Sequence, residues 1–262
     1  MKVRDVISVI EDFAPLSLQE SYDNGGLNVG LYDDDVKGVL VCVDVTEAVV
    51  DEAAAKGANL IVSHHPLLFH PLRQVGENSY IERLVRRCVK ENISLYAAHT
   101  ALDRTRHGVS WKMADMLGLE KRSVLVPYEG SEHIGFGIVG KLEKPEKTVG
   151  FLQKVREIFA CEVIRHSALN KESVQAVAVS SGAGSSFIAD AQRAGADIFL
   201  SADLRYNDFF SSVDGIIVAD VGHFESEYCA IDLLYDIITK KISTFAVHKS
   251  GNSVNPVNYL KS

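Results

Sequence analysis

The chain has 262 residues, enough for one large domain or two ordinary ones, and its 47% hydrophobic and 24% charged residues are typical of a soluble globular protein. No apolar run approaches the ~20 residues of a membrane span, and the amino terminus lacks the pattern of a secretion signal, so we expect a cytoplasmic protein. The net charge of −8 argues against general binding to nucleic acid.

The first part of the chain predicts an alternation of helices with buried strands. The run from Val39 to Val43 is continuously apolar, which is typical of a strand covered on both faces of a parallel sheet. Thr46 is placed to cap the helix that follows. The expected elements are helices over 3–13, 46–56 and 79–91 and strands at 39–43, 60–62 and 93–97.

The middle of the chain, near 121 to 170, has a plainer pattern. It predicts a pair of strands around 135–142 and a helix over 145–159. No residue combination there suggests chemistry. Beyond it, the pattern predicts a strand at 216–219 and a helix over 222–239.

The early pattern returns when Val41 is placed on Val179, because both stretches then give strand, helix, Gly-Ala, strand and Ser. The matched pairs include Ala53 with Ala191, Gly57 with Gly195, Ala58 with Ala196 and Ser63 with Ser201. Chance is the alternative, since Gly-Ala after a helix is a common stop. We favour a duplicated α/β unit, with repeats over 1–125 and 126–262.

Candidate metal ligands come directly after predicted strands. Ligands of open α/β sheets collect beyond the carboxyl ends of the strands, and His64 and His65 follow the strand at 60–62. Adjacent residues of an extended segment point to opposite sides, so the two imidazoles could reach two different metal ions. A structural role is the alternative for a histidine at a strand end.

His223 and Glu227 form a second candidate set, because a four-residue interval puts both on one face of a helix. The same spacing also occurs on solvated helices. Asp103 is either a further ligand or a turn former. His99 is expected to hydrogen-bond a ligand or the substrate, with a structural role as the alternative.

Three imidazoles and two carboxylates together predict a site for two divalent metal ions. Mixed nitrogen and oxygen ligation fits Fe, Zn, Mn, Co or Ni better than Ca or Mg, and it does not decide among them. Glu227 or Asp103 could bridge the ions. Because each repeat supplies ligands, we expect the site between the repeats.

These residues resemble a known family, the GTP cyclohydrolase 1 type 2 proteins, also described as Nif-three-like dinuclear metal-centre hexameric proteins. The resemblance spans essentially the whole chain. It rests on five motifs, Tyr22-Asp23-Asn24-Gly25-Gly26-Leu27, Ser63-His64-His65-Pro66-Leu67, His99-Thr100-Ala101-Leu102-Asp103, Ser181-Gly182-Ala183-Gly184-Ser185 and Gly222-His223-Phe224-Glu225-Ser226-Glu227.

The resemblance assigns each ligand to an ion. It implies that His65, Asp103 and Glu227 hold one ion, and that His64, His223 and the shared Glu227 hold the other. It also implies two intertwined α/β repeats with mixed sheets in three layers, and a toroidal homohexamer. The implied reaction converts GTP to 7,8-dihydroneopterin triphosphate and formate, with Glu227 as a catalytic candidate.

One position departs from the family pattern, since Asn207 stands where family members usually carry histidine. This departure concerns the family's reaction rather than the implied metal ligands. Asp203 falls on His65 when the repeats are aligned, so it is a candidate acid, base or substrate contact. A helix cap is the alternative for Asp203.

The small-residue run at 180–186 is a candidate anion site. Amides of Ser181, Gly182 and Gly184 could hold phosphate groups, although the run lacks the lysine of a Walker loop and a tight turn is the alternative. The expected ligand is a nucleotide or another phosphorylated small molecule.

A metal-dependent hydrolase is the function that these patterns favour, because two ions roughly 3.5 to 4 Å apart produce hydroxide from water at neutral pH. A phosphoesterase is the nearest alternative, since two metals also clamp phosphoryl transfer, although the Gly-Asn-His-Glu block of calcineurin-type enzymes is absent. A metal-binding hexameric scaffold or regulator without turnover is the other alternative.

Overall fold

The structure is a computed structural model that describes residues 1–260. The chain forms two compact units. The first comprises Met1–Leu102 and Ala230–Val254, and the second comprises Asp103–Cys229 and the residues from Asn255 onward. These units differ from the repeats over 1–125 and 126–262, which were predicted from the sequence pattern. The repeat boundary at residue 125 stays a prediction.

The first unit contains the three helices and three strands that the sequence predicted, in the predicted order, together with β1 and the start of α4. They are α1 (Val3–Phe13), β1 (Gly26–Val29), β2 (Gly38–Cys42), α2 (Glu47–Ala55), β3 (Leu60–Ser63), α3 (Tyr80–Glu91), β4 (Ser94–Ala97) and the start of α4 (His99–Arg104). The Thr46 hydroxyl accepts a hydrogen bond from the Val49 amide, which confirms the predicted cap of α2. β1 was not predicted.

The second unit contributes the longer strands. Its elements are α5 (Val109–Met116), β5 (Glu120–Pro127), β6 (Gly135–Lys147), α6 (Thr148–Ile158), β7 (Arg165–His166), β8 (Ser173–Ala183), α7 (Ile188–Arg193), β9 (Ile198–Ala202), β10 (Ile217–Asp220) and α8 (His223–Glu227). The chain continues through α9 (Cys229–Lys241) to β11 (Ala246–Lys249), which belongs to the first unit. Short 3₁₀ helices occur at Leu16–Leu18, Ser185–Phe187 and Tyr206–Asp214.

Each unit has one mixed sheet, which contains four neighbouring parallel strands in the first unit and three in the second. The first sheet has the order β1-β4-β3-β2-β11, with β1 antiparallel to β4. The second has the order β5-β6-β8-β9-β10-β7, with β8, β9 and β10 parallel. The protein therefore has the α/β fold with mixed sheets that the sequence predicted.

The strand register repeats between the two sheets. The paired residues are Val39 with Leu60 and Val41 with Val62 in the first sheet, and Val177 with Ile198 and Val179 with Leu200 in the second. These are the residues that coincide when Val41 is placed on Val179, so the sequence repeat has a structural counterpart. Leu40, Ile61 and Leu95 lie in the core of the first unit, and Ala178, Phe199 and Val218 in that of the second.

Two predictions for the middle of the chain were wrong. The residues at 135–142 do not form a strand pair, since they belong to one strand, β6, which pairs with β5 before it and β8 after it. The helix expected from Pro145 begins at Thr148, because β6 runs to Lys147. Pro145 lies in the register shift between Lys141 and Glu146, a position where a strand accepts proline.

The helix predicted over 222–239 is divided into α8 and α9, separated by Tyr228. His223 and Glu227 both lie in α8, so the division leaves their spacing intact. Among the described residues, no helix has both the length and the apolar character needed to cross a bilayer.

Candidate metal centre

In the first unit, three neighbouring parallel strands place the candidate residues at their carboxyl ends. β3 leads to His64 and His65, β4 leads to His99, and β2 leads to Asp44. Backbone hydrogen bonds continue beyond the strands, since the His64 amide donates to the Cys42 carbonyl at 3.0 Å and the His99 amide donates to the His64 carbonyl at 2.9 Å. The predicted location of these histidines at a sheet edge is confirmed.

The three imidazole rings of the first unit form one cluster. The ring centroids lie 5.0 Å apart for His64 and His65, 5.7 Å for His64 and His99, and 5.5 Å for His65 and His99. The expectation that His64 and His65 point to opposite sides of an extended chain was wrong, because the backbone bends at both residues. His64 is fully buried.

An aspartate orients the His65 ring. Nδ1 of His65 lies 2.8 Å from Oδ1 of Asp44, so this nitrogen donates to the carboxylate. The atom of His65 that can coordinate a metal is therefore Nε2. A carboxylate on the distal nitrogen is a regular feature of metal-binding histidines, because it fixes the tautomer and raises the basicity of the ligand.

A second aspartate, Asp23, orients His99 in the same way. Its fully buried side chain accepts a 2.6 Å hydrogen bond from Nδ1 of His99 and further hydrogen bonds from the amide and the hydroxyl of Thr100. Burial alone would raise the pKa of Asp23, but the hydrogen bonds from His99 and Thr100 outweigh it and lower this pKa. Asp23 therefore fixes the orientation of the His99 ring.

In the second unit, strands again lead to the candidate residues. The end of β8 contains Ser181 and Gly182, β9 leads to Asp203, and β10 leads to α8, which carries His223 and Glu227. His223 and Glu227 lie on one face of α8, as predicted, with Nε2 of His223 3.1 Å from Oε2 of Glu227. Asp203 has a left-handed backbone, with φ of +54°, and its Oδ2 accepts a 2.9 Å hydrogen bond from Nδ1 of His223.

The two carboxylates give His223 a high affinity for a proton. Burial alone would lower the pKa of His223, but the hydrogen bonds and charges of Glu227 and Asp203 outweigh it and raise the pKa to about 9. Below this pKa, Nε2 of His223 carries a proton that it donates to the Glu227 carboxylate.

The spacing of His223 and Glu227 also fits a metal ion. Two ligands of one ion, with metal–nitrogen and metal–oxygen bonds near 2.1 Å, have their donor atoms about 2.9 to 3.4 Å apart. The observed separation of Nε2 and Oε2, 3.1 Å, lies in this range. A divalent ion can therefore replace the proton with little movement of either side chain.

Asp103 is held by serines of the second unit. Its side chain is buried, and Oδ1 accepts a 2.9 Å hydrogen bond from the Ser181 hydroxyl. The Ser181 amide donates to Oγ of Ser110 at 3.1 Å. This arrangement gives Asp103 a defined orientation that a simple turn former would not need.

Glu227 is packed against Gly182. A Cβ added to Gly182 would lie 2.3 Å from Oε1 of Glu227, so that carboxylate would have to move, and the φ of +57° at Gly182 favours glycine. The Gly182 amide donates to Oγ of Ser226, and the Ser226 hydroxyl donates to the His223 carbonyl. The run at 180–186 thus supports α8.

The amides of Ser181 and Gly182 are both engaged by serine side chains. These contacts give the run a supporting role, whereas the predicted substrate contacts of Ser181, Gly182 and Gly184 stay predictions. Asn207, the departure from the family pattern, is exposed in the 3₁₀ helix Tyr206–Asp214.

Comparison with known proteins identifies the family. The model of the DUF34/NIF3 (NGG1p interacting factor 3) family matches residues 1–256. The chain belongs to this family.

Relatives of this DUF34/NIF3 protein match over most of its length. A GTP cyclohydrolase 1 type 2 homolog of Clostridium acetobutylicum is 32% identical over 254 residues, covering 96% of this chain and 92% of that protein. A protein of the same name in Lactococcus lactis is 31% identical over 264 residues and covers 98% of both.

Solved structures agree on the fold. A hypothetical protein of Staphylococcus aureus aligns with a TM-score of 0.90 at 25% identity, and a Bacillus cereus protein related to NIF3 aligns with 0.90 at 23%, each covering 99% of both chains. HcgD of Methanocaldococcus jannaschii, in its reduced form, aligns with a TM-score of 0.79 at 26% identity, covering 95% of this chain and 97% of that one.

The donor chemistry of this DUF34/NIF3 protein suits a metal. His64 and His65 in the first unit, and Glu227 in the second, each offer a nitrogen or oxygen donor of the kind that divalent transition metals bind. Metal binding is also compatible with the Asp–His pair in each unit and with the 3.1 Å between Nε2 of His223 and Oε2 of Glu227.

The raised pKa of His223 predicts a pH-dependent metal affinity. Proton and metal compete for Nε2, so the affinity should rise about tenfold per pH unit below the pKa of about 9 and level off above it. Zinc titrations from pH 6.5 upward measure this slope. The Asp203→Asn variant loses one charge that raises the pKa of His223, so its metal affinity should level off at a lower pH than that of the wild type. If both affinities level off at the same pH, the proton on His223 does not compete with the metal.

The Asp44→Asn variant should bind metal about 10- to 100-fold more weakly, because it removes the charge that orients His65 and raises its basicity. Competition with a chromophoric chelator measures the change. Asp51→Asn is the matched control, since Asp51 is exposed and pairs with Arg87. Equal affinities for the two variants would show that Asp44 has no part in metal binding.

Proposed function

We propose that this protein is a hydrolase that uses two divalent metal ions. One ion would be held by His65, Asp103 and Glu227, and the other by His64, His223 and Glu227. The observation that carries the proposal is the geometry of His223, whose Nδ1 is fixed by Asp203 while Nε2 lies 3.1 Å from the buried carboxylate of Glu227.

The donor set favours Fe, Zn, Mn, Co or Ni over the hard ions Ca and Mg, because most of its donors are imidazole nitrogens. A bound pair of such ions supplies a water nucleophile at neutral pH and stabilises negative charge that develops on the reacting group. Buried Glu227 contributes the negative charge that two closely spaced cations require.

The residues around the proposed ions have separate tasks. Asp44 and Asp203 are positioning residues that fix the tautomers of His65 and His223. His99 is a candidate substrate contact, because Asp23 holds Nδ1 and leaves Nε2 as the atom that can bond a polar substrate group. Asp203 acts through His223 in this proposal, and its direct role as an acid, base or substrate contact stays a prediction.

The proposed reaction is the conversion of GTP and water to 7,8-dihydroneopterin triphosphate and formate. It is supported by the names of the relatives, which are GTP cyclohydrolase 1 type 2 homologs, and by the hydrolytic chemistry that the donor set allows. Asn207 distinguishes this chain from the family pattern, so other nucleotides and phosphoesters belong in the same assay.

The decisive experiment measures metal content and turnover together. Protein loaded in turn with Fe(II), Zn, Mn, Co and Ni is assayed for formate and for pterin fluorescence with GTP, and for products from a panel of nucleotides and phosphoesters. The expected result is turnover that His64→Ala abolishes. If GTP is inert while another substrate reacts, the cyclohydrolase reaction is wrong and the hydrolase stands.

A scaffold role would give a different outcome. We propose a homohexamer, and light scattering on the wild type and on His64→Ala measures assembly separately from turnover. Intact hexamers that lose turnover support catalysis. Loss of assembly, combined with no turnover by any metal-loaded wild type, would instead show that the metals serve structure.

A further inference from the structure

Two exposed aromatic side chains extend the imidazole cluster of the first unit. Tyr22 is 65% exposed and Phe69 is 37% exposed. Their ring centroids lie 6.4 Å apart, and the Phe69 ring lies 5.8 Å from that of His99. His99 in turn contacts His64 and His65, so an unbroken row of rings leads from the surface to the proposed ligands.

The exposed rings are attached to backbone that polar contacts hold in place. Tyr22 directly precedes Asp23, whose buried carboxylate is bonded to His99 and Thr100. Phe69 directly follows Leu68, whose carbonyl accepts from Nδ2 of Asn24 at 2.6 Å and whose amide donates to Oδ1 of Asn28 at 3.3 Å. Both rings are therefore presented by fixed segments, which reduces the entropy lost on binding a ligand.

The geometry of the pair suits one flat ring. The planes of Tyr22 and Phe69 meet at 70°, so the two rings form a corner rather than a parallel slot. A planar ligand ring can stack on one wall of such a corner and present its edge to the other, and both arrangements are favourable for aromatic pairs. Ligand sites combine aromatic walls with a few polar groups that fix the orientation of the ligand, and Tyr22 and Phe69 lie beside the polar imidazole cluster in this way.

We propose that Tyr22 and Phe69 form the subsite for a planar heteroaromatic ring of the substrate. The ring packs in their corner and directs its reacting edge past His99 toward His64 and His65. This inference rests on the proposed function, since it treats the imidazole cluster as the reacting end of the site. The substrate class is a compound with a nucleobase-like ring.

The test measures equilibrium binding of guanosine to metal-free protein by calorimetry, with ribose as the probe that lacks a ring. Wild type should bind guanosine and not ribose. Tyr22→Ala and Phe69→Ala should each weaken guanosine binding by about 5- to 150-fold, the range for loss of one stacking contact with a base. Thermal melts establish that the variants are folded.

Further variants separate stacking from apolar packing. Tyr22→Leu keeps apolar bulk but has no ring, so it should bind as weakly as Tyr22→Ala, whereas Tyr22→Phe and Phe69→Tyr should retain binding. Tyr80→Ala is the matched control, because Tyr80 is 56% exposed at the start of α3 in the same unit. Wild-type binding by Tyr22→Leu, equal binding of ribose, or no binding of guanosine, adenosine or cytidine overturns the subsite.

The subsite and the proposed function fail separately. Ring-dependent binding of guanosine with no turnover by metal-loaded protein would leave the subsite standing and remove the hydrolase. Turnover that is unaffected by Tyr22→Ala and Phe69→Ala would leave the hydrolase standing and remove the subsite.

Discussion

Gly182→Ala is expected to destabilise the protein and to remove most of its metal affinity. The new Cβ would lie 2.3 Å from Oε1 of Glu227 and 3.4 Å from Cε1 of His223, so Glu227 has to move. The backbone φ of +57° adds about 1 to 2 kcal/mol of strain for a residue with a side chain. We expect a loss of at least about 2 kcal/mol in the free energy of unfolding and of at least 100-fold in metal affinity.

Gly195→Ala separates the effect of backbone strain from the effect of the clash with Glu227. Gly195 has a similar backbone, with φ of +73°, but a Cβ there would meet no atom within 4 Å. It should lose about 1 kcal/mol of stability and no metal affinity. Urea unfolding of metal-free protein and zinc titration compare the variants; equal metal affinities for Gly182→Ala and Gly195→Ala would contradict the assignment of Glu227 as a ligand.

The sequence predicted the fold best where burial imposes a simple pattern. β2 and β3 are buried on both faces, so their residues form uninterrupted apolar runs that a single chain reveals. β6 was misinterpreted because both of its partners lie outside the range 135–142, with β5 before it and β8 after it, and the residues of one strand do not reveal which segments pair with it. Pro145 strengthened the error, since proline commonly opens a helix.

The candidate ligands could be predicted because they follow strand ends, a position defined by local sequence. The bend of the backbone at His64 and His65 could not be predicted, because the identities of two adjacent residues do not specify the backbone conformation between them. Asp44 was missed although it also follows a strand. Its position after β2 was the available signal, and the neighbouring strands β2 and β3 explain why it reaches His65.

The same relation between strands recurs in the second unit. Asp203 follows β9 and orients His223, which follows the adjacent parallel strand β10. In each unit, an aspartate beyond one strand thus fixes an imidazole beyond the next. An aspartate that directly follows a buried strand is therefore a candidate for orienting a ligand histidine that follows the adjacent parallel strand.

Glu227→Gln should have the largest effect on metal content. The variant keeps the shape of a buried side chain but loses the carboxylate that we propose to be shared by both ions, so both should be lost. His223→Ala removes a ligand of one ion and should leave the other. Metal analysis after dialysis should therefore give about two ions per chain for wild type, one for His223→Ala and none for Glu227→Gln.

The control for the charge change is Glu225→Gln on the same helix. Oε1 of Glu225 accepts a hydrogen bond from Asn255 at 3.0 Å, which an amide oxygen can still accept, so metal content should stay at the wild-type level. If Glu227→Gln retains one ion while His223→Ala loses both, Glu227 serves a single ion and His223 contacts the pair. The bridging position would then pass from Glu227 to another carboxylate, of which Asp103 is the candidate that the sequence offers.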